Sequence, residues 1–480
     1  MPRIPPEPEE NRQSSTDVNP PLPSQLTDLG SNGISSISIR KRILAAIIIS
    51  LGGIPFGYDL GALSGGTQGL LHRYTLPPAQ LGLTVSTSLW GALFTSFFAG
   101  YLADRMGRRA VLGACAIVFA ISTGLLGLPF DFTWKLVVVL RLLSGMTIGG
   151  MVVVCPLFLA EIAPRAIRGR LVSSFQMQIC VGIVLAFAAN AIVARTVGAA
   201  DISKWLFRIG ALPPICLLSL LPCVPEEPHC LARRGKWRKA KEATAWFDIP
   251  FDGLLAENCN QLHARPAKLP TERLFQGKYV RGLFLATSVA LFNQLSGVNV
   301  LRVYLLDVLA NEGIGRIVSH NYAVMISCFN LIFLSLGTVL VDWLGRRPLL
   351  VIGSAGMSFC MLAMSFAGTP LVEPRSYIFI IIVYNAFFVF SQGAVAWTYL
   401  SELFPFSVRG KGQSYGASIH WIVNAALIMT FPVLAARAHQ RSFLLFAFAM
   451  ALQIAVVLLF YPETNGKRLG SVVQEETVSG

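Results

Sequence analysis

Asp59 and Arg141 are a carboxylate and a guanidinium set deep inside long apolar stretches. A charge there is costly in lipid and is by default a hypothesis of function. Asp59 stands 16 positions into the stretch that begins at 43, and Arg141 six positions into the one that begins at 135 and runs the opposite way. At about 1.5 Å per residue these are roughly 24 Å above one membrane face and 9 Å below the other, in a core about 30 Å thick. The two therefore fall at similar depth. Paired, Asp59 stays ionised beside an arginine that does not lose its proton. Separated, a carboxylate in a dry interior holds its charge at high cost and favours proton uptake. A purely structural ion pair is the other reading.

Neutral polar groups occupy similar stretches: Gln176, Gln294, Asn299, Asn330 and Asn424, together with Trp397. An amide both donates and accepts, which matches a neutral ligand covered with hydroxyl groups, and an aromatic face suits the ring of a sugar. Bonding between helices is the competing use of such amides. Gly297 lies between Gln294 and Asn299 and is placed to break the helix so that both face one cavity. Arg302, a few positions on, is a second intramembrane charge. It either snorkels to the outer interface or receives an anionic sugar acid.

These residues sit in a duplicated frame. Asp104-Arg105-Met106-Gly107-Arg108-Arg109 returns as Asp342-Trp343-Leu344-Gly345-Arg346-Arg347, 238 positions later. Glu161-Ile162-Ala163-Pro164 with Arg168 returns as Glu402-Leu403-Phe404-Pro405 with Arg409, at an offset of 241. Pro225-Glu226 returns as Pro462-Glu463, at 237. Three motifs in one order at one period predict two parallel halves, an architecture of membrane transporters. Hydrophobic residues make up 54% of the 480-residue chain and charged ones 13%, against about 25% charged in ordinary soluble proteins. Twelve apolar spans, from 43–63 to 442–461, each approach the roughly 20 residues that cross a bilayer.

The expected domains are a disordered cytoplasmic tail (1–40), a six-helix bundle (41–224), a linker with short helices (225–280), a second six-helix bundle (281–461) and a short cytoplasmic tail (462–480). The tail is polar and Pro-rich, and the first span acts as an uncleaved anchor rather than a signal peptide. With both termini inside, the predicted cytoplasmic segments hold 27 Lys and Arg and the outer loops eight. The net charge of +14 is thus a topology signal before it is a nucleic-acid one. Within the linker, Arg233 to Glu242 reads as one basic amphipathic helix against the membrane. The nine cysteines form no metal or redox motif and read as small buried residues.

The motifs resemble the sugar porter family of the major facilitator superfamily over roughly residues 40–470. The likeness rests on Gly100-x-x-x-Asp104-Arg105-x-Gly107-Arg108-Arg109, Phe56-Gly57-Tyr58-Asp59, Pro225-Glu226-Glu227-Pro228, Gln294-Leu295-Ser296-Gly297-Val298-Asn299 and Pro462-Glu463-Thr464-Asn465-Gly466. Ser391 to Trp397, leading into Ser401-Glu402-Leu403-Phe404-Pro405, is similar to a bacterial branch. The resemblance implies an all-α membrane protein, with twelve transmembrane helices in two six-helix bundles and alternating access for a sugar. It implies sugar contacts at Gln176, Asn293, Gln294, Asn299, Asn330, Trp397 and Asn424, and a gate at Tyr304. It also implies that Asp59 marks proton-coupled members, where passive relatives often carry Asn. Departures from the family pattern are Asn293 for the first of two glutamines, Val303 before Tyr304, Ala394 and Ala396 for prolines, Val389 for an acid, and His420 for an Asn before Trp421.

Asp104, Arg105, Arg109, Glu161 and Arg168 are expected to latch one half at its cytoplasmic end, and Asp342, Arg346, Glu402 and Arg409 the other. Without a phosphate-binding loop, a metal cluster or a catalytic triad, neither a cofactor nor covalent chemistry is expected. The expected partners are a sugar, protons and the lipid bilayer, with no nucleic acid, and the monomer is the expected functional unit. A passive uniporter and a non-transporting sugar receptor are the competing readings. The absence of a sizeable output domain after Pro462 disfavours the receptor.

Overall fold

A backbone amide in hydrocarbon finds no water, so a spanning segment must bond within itself, and a helix does so. The computed structural model describes residues 36–130, 132–163, 167–198, 201–248, 251, 274–311, 313–366, 374–404 and 408–463. The side chains of Arg168, Asp342, Glu402 and Arg409 lie outside that set. Among the described residues, twelve helices are long and apolar enough to cross a membrane. The first six are α1 (Arg40–Thr67), α2 (Pro78–Met106), α3 (Arg108–Leu126), α4 (Trp134–Ile162), α5 (Leu171–Thr196) and α6 (Ile202–Cys223). The second six are α7 (Gly277–Val303), α8 (Ile317–Leu336), α9 (Arg346–Ser365), α10 (Ser376–Trp397), α11 (Lys411–Ala438) and α12 (Gln440–Phe460). Large apolar side chains such as Phe94, Phe97, Phe359, Phe448 and Leu459 face outward, as a lipid-facing surface requires.

Packing repeats between the halves. In the first, α1 lies on α5, α2 on α4 and α3 on α6. In the second, α7 lies on α11, α8 on α10 and α9 on α12. The halves meet through α2 against α11 and α5 against α8, the same pair of contacts taken in reverse. Hydrogen bonds across this seam join Ser64 Oγ to the Leu306 amide (3.1 Å), Thr67 Oγ1 to Asp307 (2.9 Å) and Arg195 to Asn321 (2.6 Å). All lie at one end of the bundle, remote from the turns at Gly107 and Gly345.

Those turns explain the repeated motifs. Gly107 and Gly345 hold φ of +100° and +87°, a region open to glycine and strained for other residues. Each glycine precedes a helix whose first amides have no partner within the helix. The second member of each Pro-Glu pair supplies one. Glu226 accepts from the Arg109 amide at 3.0 Å, and Glu463 accepts from the Arg346 and Arg347 amides at 3.1 and 2.9 Å. A carboxylate at the positive end of a helix is favourable by charge as well as by hydrogen bond.

The linker differs from its expectation. Rather than one basic helix over 233–242, it forms Pro228–Arg233 and Trp237–Phe247, parted by Gly235 at φ +70°. Glu227 caps the first by accepting from the His229 and Cys230 amides, at 2.8 and 2.6 Å. The second buries Ala240, Ala243 and Phe247, and its last carbonyls accept from Arg42 at the start of α1. The linker is thus tied to the first bundle.

Neutralising a helix-capping carboxylate tests this account. Glu226→Gln and Glu463→Gln should each cost roughly 1 kcal/mol of stability. Thermal unfolding in detergent should show a lower melting temperature for both, and an unchanged value would remove the capping role.

Candidate functional site

Three constellations occupy the bundles. The first joins Asp59 on α1 to Arg141 on α4. Arg141 Nη1 is hydrogen-bonded to Asp59 Oδ1, and Nη2 reaches Asp59 Oδ2 at 3.2 Å. Ser88 on α2 accepts from Arg141 Nη2 at 2.7 Å and donates to Asp59 Oδ2 at 3.2 Å, while the Val85 carbonyl also accepts from Nη2. Asp59 is 5% exposed and Arg141 fully buried, so neither charge is hydrated and each depends on the other. Three helices must keep their relative positions for this cluster to hold together.

The second constellation follows from the break in α7. Gly297 takes φ +83° between the helical segments Val280–Leu295 and Val298–Val303. A Cβ at Gly297 would lie 2.9 Å from the Phe446 ring, so the glycine serves conformation and packing together. Across the break, Asn299 Nδ2 donates to Gln294 Oε1 at 3.1 Å. Gln294 Nε2 donates to Asn293 Oδ1 at 2.9 Å and meets the ring nitrogens of His420 on α11 at 3.0 and 3.1 Å. Asn293 in turn donates to the Gln392 carbonyl (3.3 Å) in the π-helical turn Val389–Gly393 of α10. His420 also packs on Trp397, with centroids 4.9 Å apart, and that indole remains 45% exposed. Asn330 and Asn424 are buried, yet Asn330 Oδ1 and both polar atoms of Asn424 have no hydrogen-bond partner. Unmet amide atoms in such surroundings are costly and suited to a ligand that brings its own hydroxyls. Gln176 on α5 is exposed and is not hydrogen-bonded into this chain of groups. His420 is the member that sequence reading left out, although its departure from Asn was visible.

Arg302 does not snorkel. Its guanidinium lies 5.5 Å over the Phe388 ring, and Nη1 donates to Asn299 Oδ1 at 3.3 Å. Tyr304 follows at the end of the helical segment, buried, with its hydroxyl donating to the Ile428 carbonyl at 3.0 Å and its ring 5.3 Å from Phe431. It stands just before Leu306 and Asp307, the residues that join the halves.

The third constellation is ionic, and its central arginine is not the expected one. Arg108, 2% exposed, meets Asp104 at 2.7 Å and Glu161 through Nε and Nη2 at 3.0 and 2.9 Å. Arg105 is exposed, and neither its side chain nor that of Arg109 reaches these carboxylates among the described residues. Arg109 contributes its backbone amide to Glu226 instead. The physical reason is helix phase. Gly107 ends α2, and the first residue of α3 is the one turned between α2 and α4. Glu226 and Glu463 were legible as a repeat, but their capping role required the turn geometry. In the second half, Arg346 is buried at the matching position.

A profile of the family described as "Sugar (and other) transporter" matches residues 45–475. The chain belongs to this family. A putative metabolite transport protein of Bacillus subtilis, YfiG, is 31% identical over 464 residues, covering 92% of this chain and 93% of that protein. The D-xylose-proton symporter of Escherichia coli is 28% identical over 468 residues, covering 88% and 93%. The inward-open structure of the xylose transporter XylE from E. coli superposes with a TM-score of 0.79 at 25% identity, over 90% of this chain and 99% of that one. The twelve-helix, two-bundle architecture is therefore that of the major facilitator fold.

Removing the centre of the amide chain should weaken ligand binding. Gln294→Ala and Asn299→Ala each delete a hydrogen-bonding amide worth roughly 1 kcal/mol, or about a fivefold loss of affinity. Sugar binding to purified protein measures it, and unchanged affinity in both variants would take α7 out of the site.

Proposed function

We propose that this protein carries a monosaccharide across the membrane by alternating access and moves a proton with it. The buried Asp59–Arg141 pair carries the coupling half of this reading, since a carboxylate so enclosed is a proton site whenever its partner withdraws. Names of relatives agree with it, because proton coupling is stated for the E. coli xylose symporter. Sugar hydroxyls are assigned to the amides of Gln294, Asn299, Asn330 and Asn424, with Gln176 opposite them on α5 and Trp397 offering a ring face. Asn293 orients Gln294 and ties it to α10.

The excess of Lys and Arg on the side of both termini supports a cytoplasmic position for that side. The seam at Ser64, Thr67, Leu306 and Asp307 then lies at the outer end, with Tyr304 as its innermost plug. Two further elements support rigid-body rocking as the switch. The Arg108–Glu161–Asp104 cluster binds three helices of one half into a unit, and Arg346 with Glu463 performs a related task in the other. The latch extends in this reading to Arg168, Asp342, Glu402 and Arg409. A monomer suffices, because one chain holds both halves of the cavity.

The decisive variant is Asp59→Asn in proteoliposomes. It should abolish sugar accumulation driven by a pH gradient while downhill counterflow continues. Full accumulation by that variant would take Asp59 out of the coupling, and flux without pH dependence in the unmodified protein would leave a passive uniporter.

A further inference from the structure

Taking the protein as the sugar transporter proposed above, we infer that its preferred substrate bears a carboxylate, a hexuronate rather than a neutral hexose, and that Arg302 receives it. Arg302 and Arg141 differ in the partners they have. Arg141 is met by Asp59, Ser88 and a carbonyl. Arg302 is met by one amide oxygen, Asn299 Oδ1, and by the face of Phe388. Its Nε, like that of Arg141, is buried without a hydrogen-bond partner. Among the described residues no carboxylate forms an ion pair with it. A guanidinium has five donors, and one half-buried at this depth with so few of them met is costly unless a negative charge arrives.

The surroundings indicate what arrives. Arg302 lines a narrow pocket of about 20 Å³, room for one small group such as a carboxylate oxygen and not for a whole sugar, with Ser327, Asn330 and Asn385 on one side and Ile183 and Phe187 of α5 on the other. Asn330 contributes an unbonded amide oxygen. Through Asn299 the guanidinium is hydrogen-bonded to Gln294, and through Gln294 to His420 beside Trp397. The charge is therefore one end of the same chain of groups that offers amides to hydroxyls. A single guanidinium matches the charge of one carboxylate and its forked geometry. A phosphate ester carries a larger charge, and no second cation lines this pocket. A sugar acid satisfies both ends.

The test is competition in liposomes containing the full chain. Uptake of labelled D-xylose or D-glucose is measured against D-glucuronate, D-galacturonate and the matching neutral hexoses. The uronates should compete at least about tenfold more strongly than their neutral counterparts, as expected for a charge-assisted pair in a dry site. Arg302→Leu should lower the ratio of uronate to neutral-hexose affinity about tenfold, and Arg302→Lys should retain part of it. Uronates that compete no better than the hexoses in the unmodified protein overturn the inference even where Arg302→Leu fails to fold. Continued exchange of neutral sugars in that case leaves the transport reading intact, whereas no exchange of either class ends both.

Discussion

Hydrocarbon gives no hydrogen-bond partner to a peptide group or a charge, and the arrangement of this protein follows from where each polar group finds one. Peptide groups are met by helix formation. Side-chain charges are met by opposite charges, as at Asp59 with Arg141 and at Arg108 with Asp104 and Glu161. Helix starts that follow a left-handed glycine are met by a distant glutamate. Among the described residues a scatter of buried side-chain atoms keeps no hydrogen-bond partner, including Asn330 Oδ1, both polar atoms of Asn424 and Arg302 Nε.

Satisfaction and movement oppose each other here. The Asp59 cluster uses α1, α2 and α4, so it holds only while those helices keep their register. The amide chain uses α7, α10 and α11 in the same way. Helix breaks lie beside the second cluster, at Gly297 and in the π-helical turn of Val389–Gly393, and such turns occur often at functional sites. Asn293 spans the two breaks through the Gln392 carbonyl. A shift in either helix would therefore be felt by Gln294 and, through it, by His420.

Much of the fold was legible because hydropathy and length dominate the choice of a spanning helix, and the repeat fixed how the halves correspond. The site was legible in part. Gln294 and Asn299 announce themselves as amides flanking a glycine, and Asp59 as a lone intramembrane acid. Three failures share one cause. Arg105, Arg108 and Arg109 are alike in composition, and only the phase set by Gly107 selects Arg108. Arg302 has a depth that suggests snorkelling, but the breaks at Gly297 and Tyr304 turn it inward. His420 acquires its importance from α7 and α10, which lie far from it in sequence. Depth and residue type can be read along a chain, whereas rotation about a helix axis after a break cannot.

The glutamate caps carry a consequence for biogenesis. Glu226 serves a helix that begins 118 residues earlier, at Arg108, and does so from the very end of the first half. During synthesis that helix start waits, uncapped at the membrane surface, until the sixth span has emerged and turned back. The first half is then complete before most of the second exists. Glu463 closes the second half in the same manner, from beyond its own last span. In each half the capping carboxylate thus comes from a segment synthesised after the last span of that half.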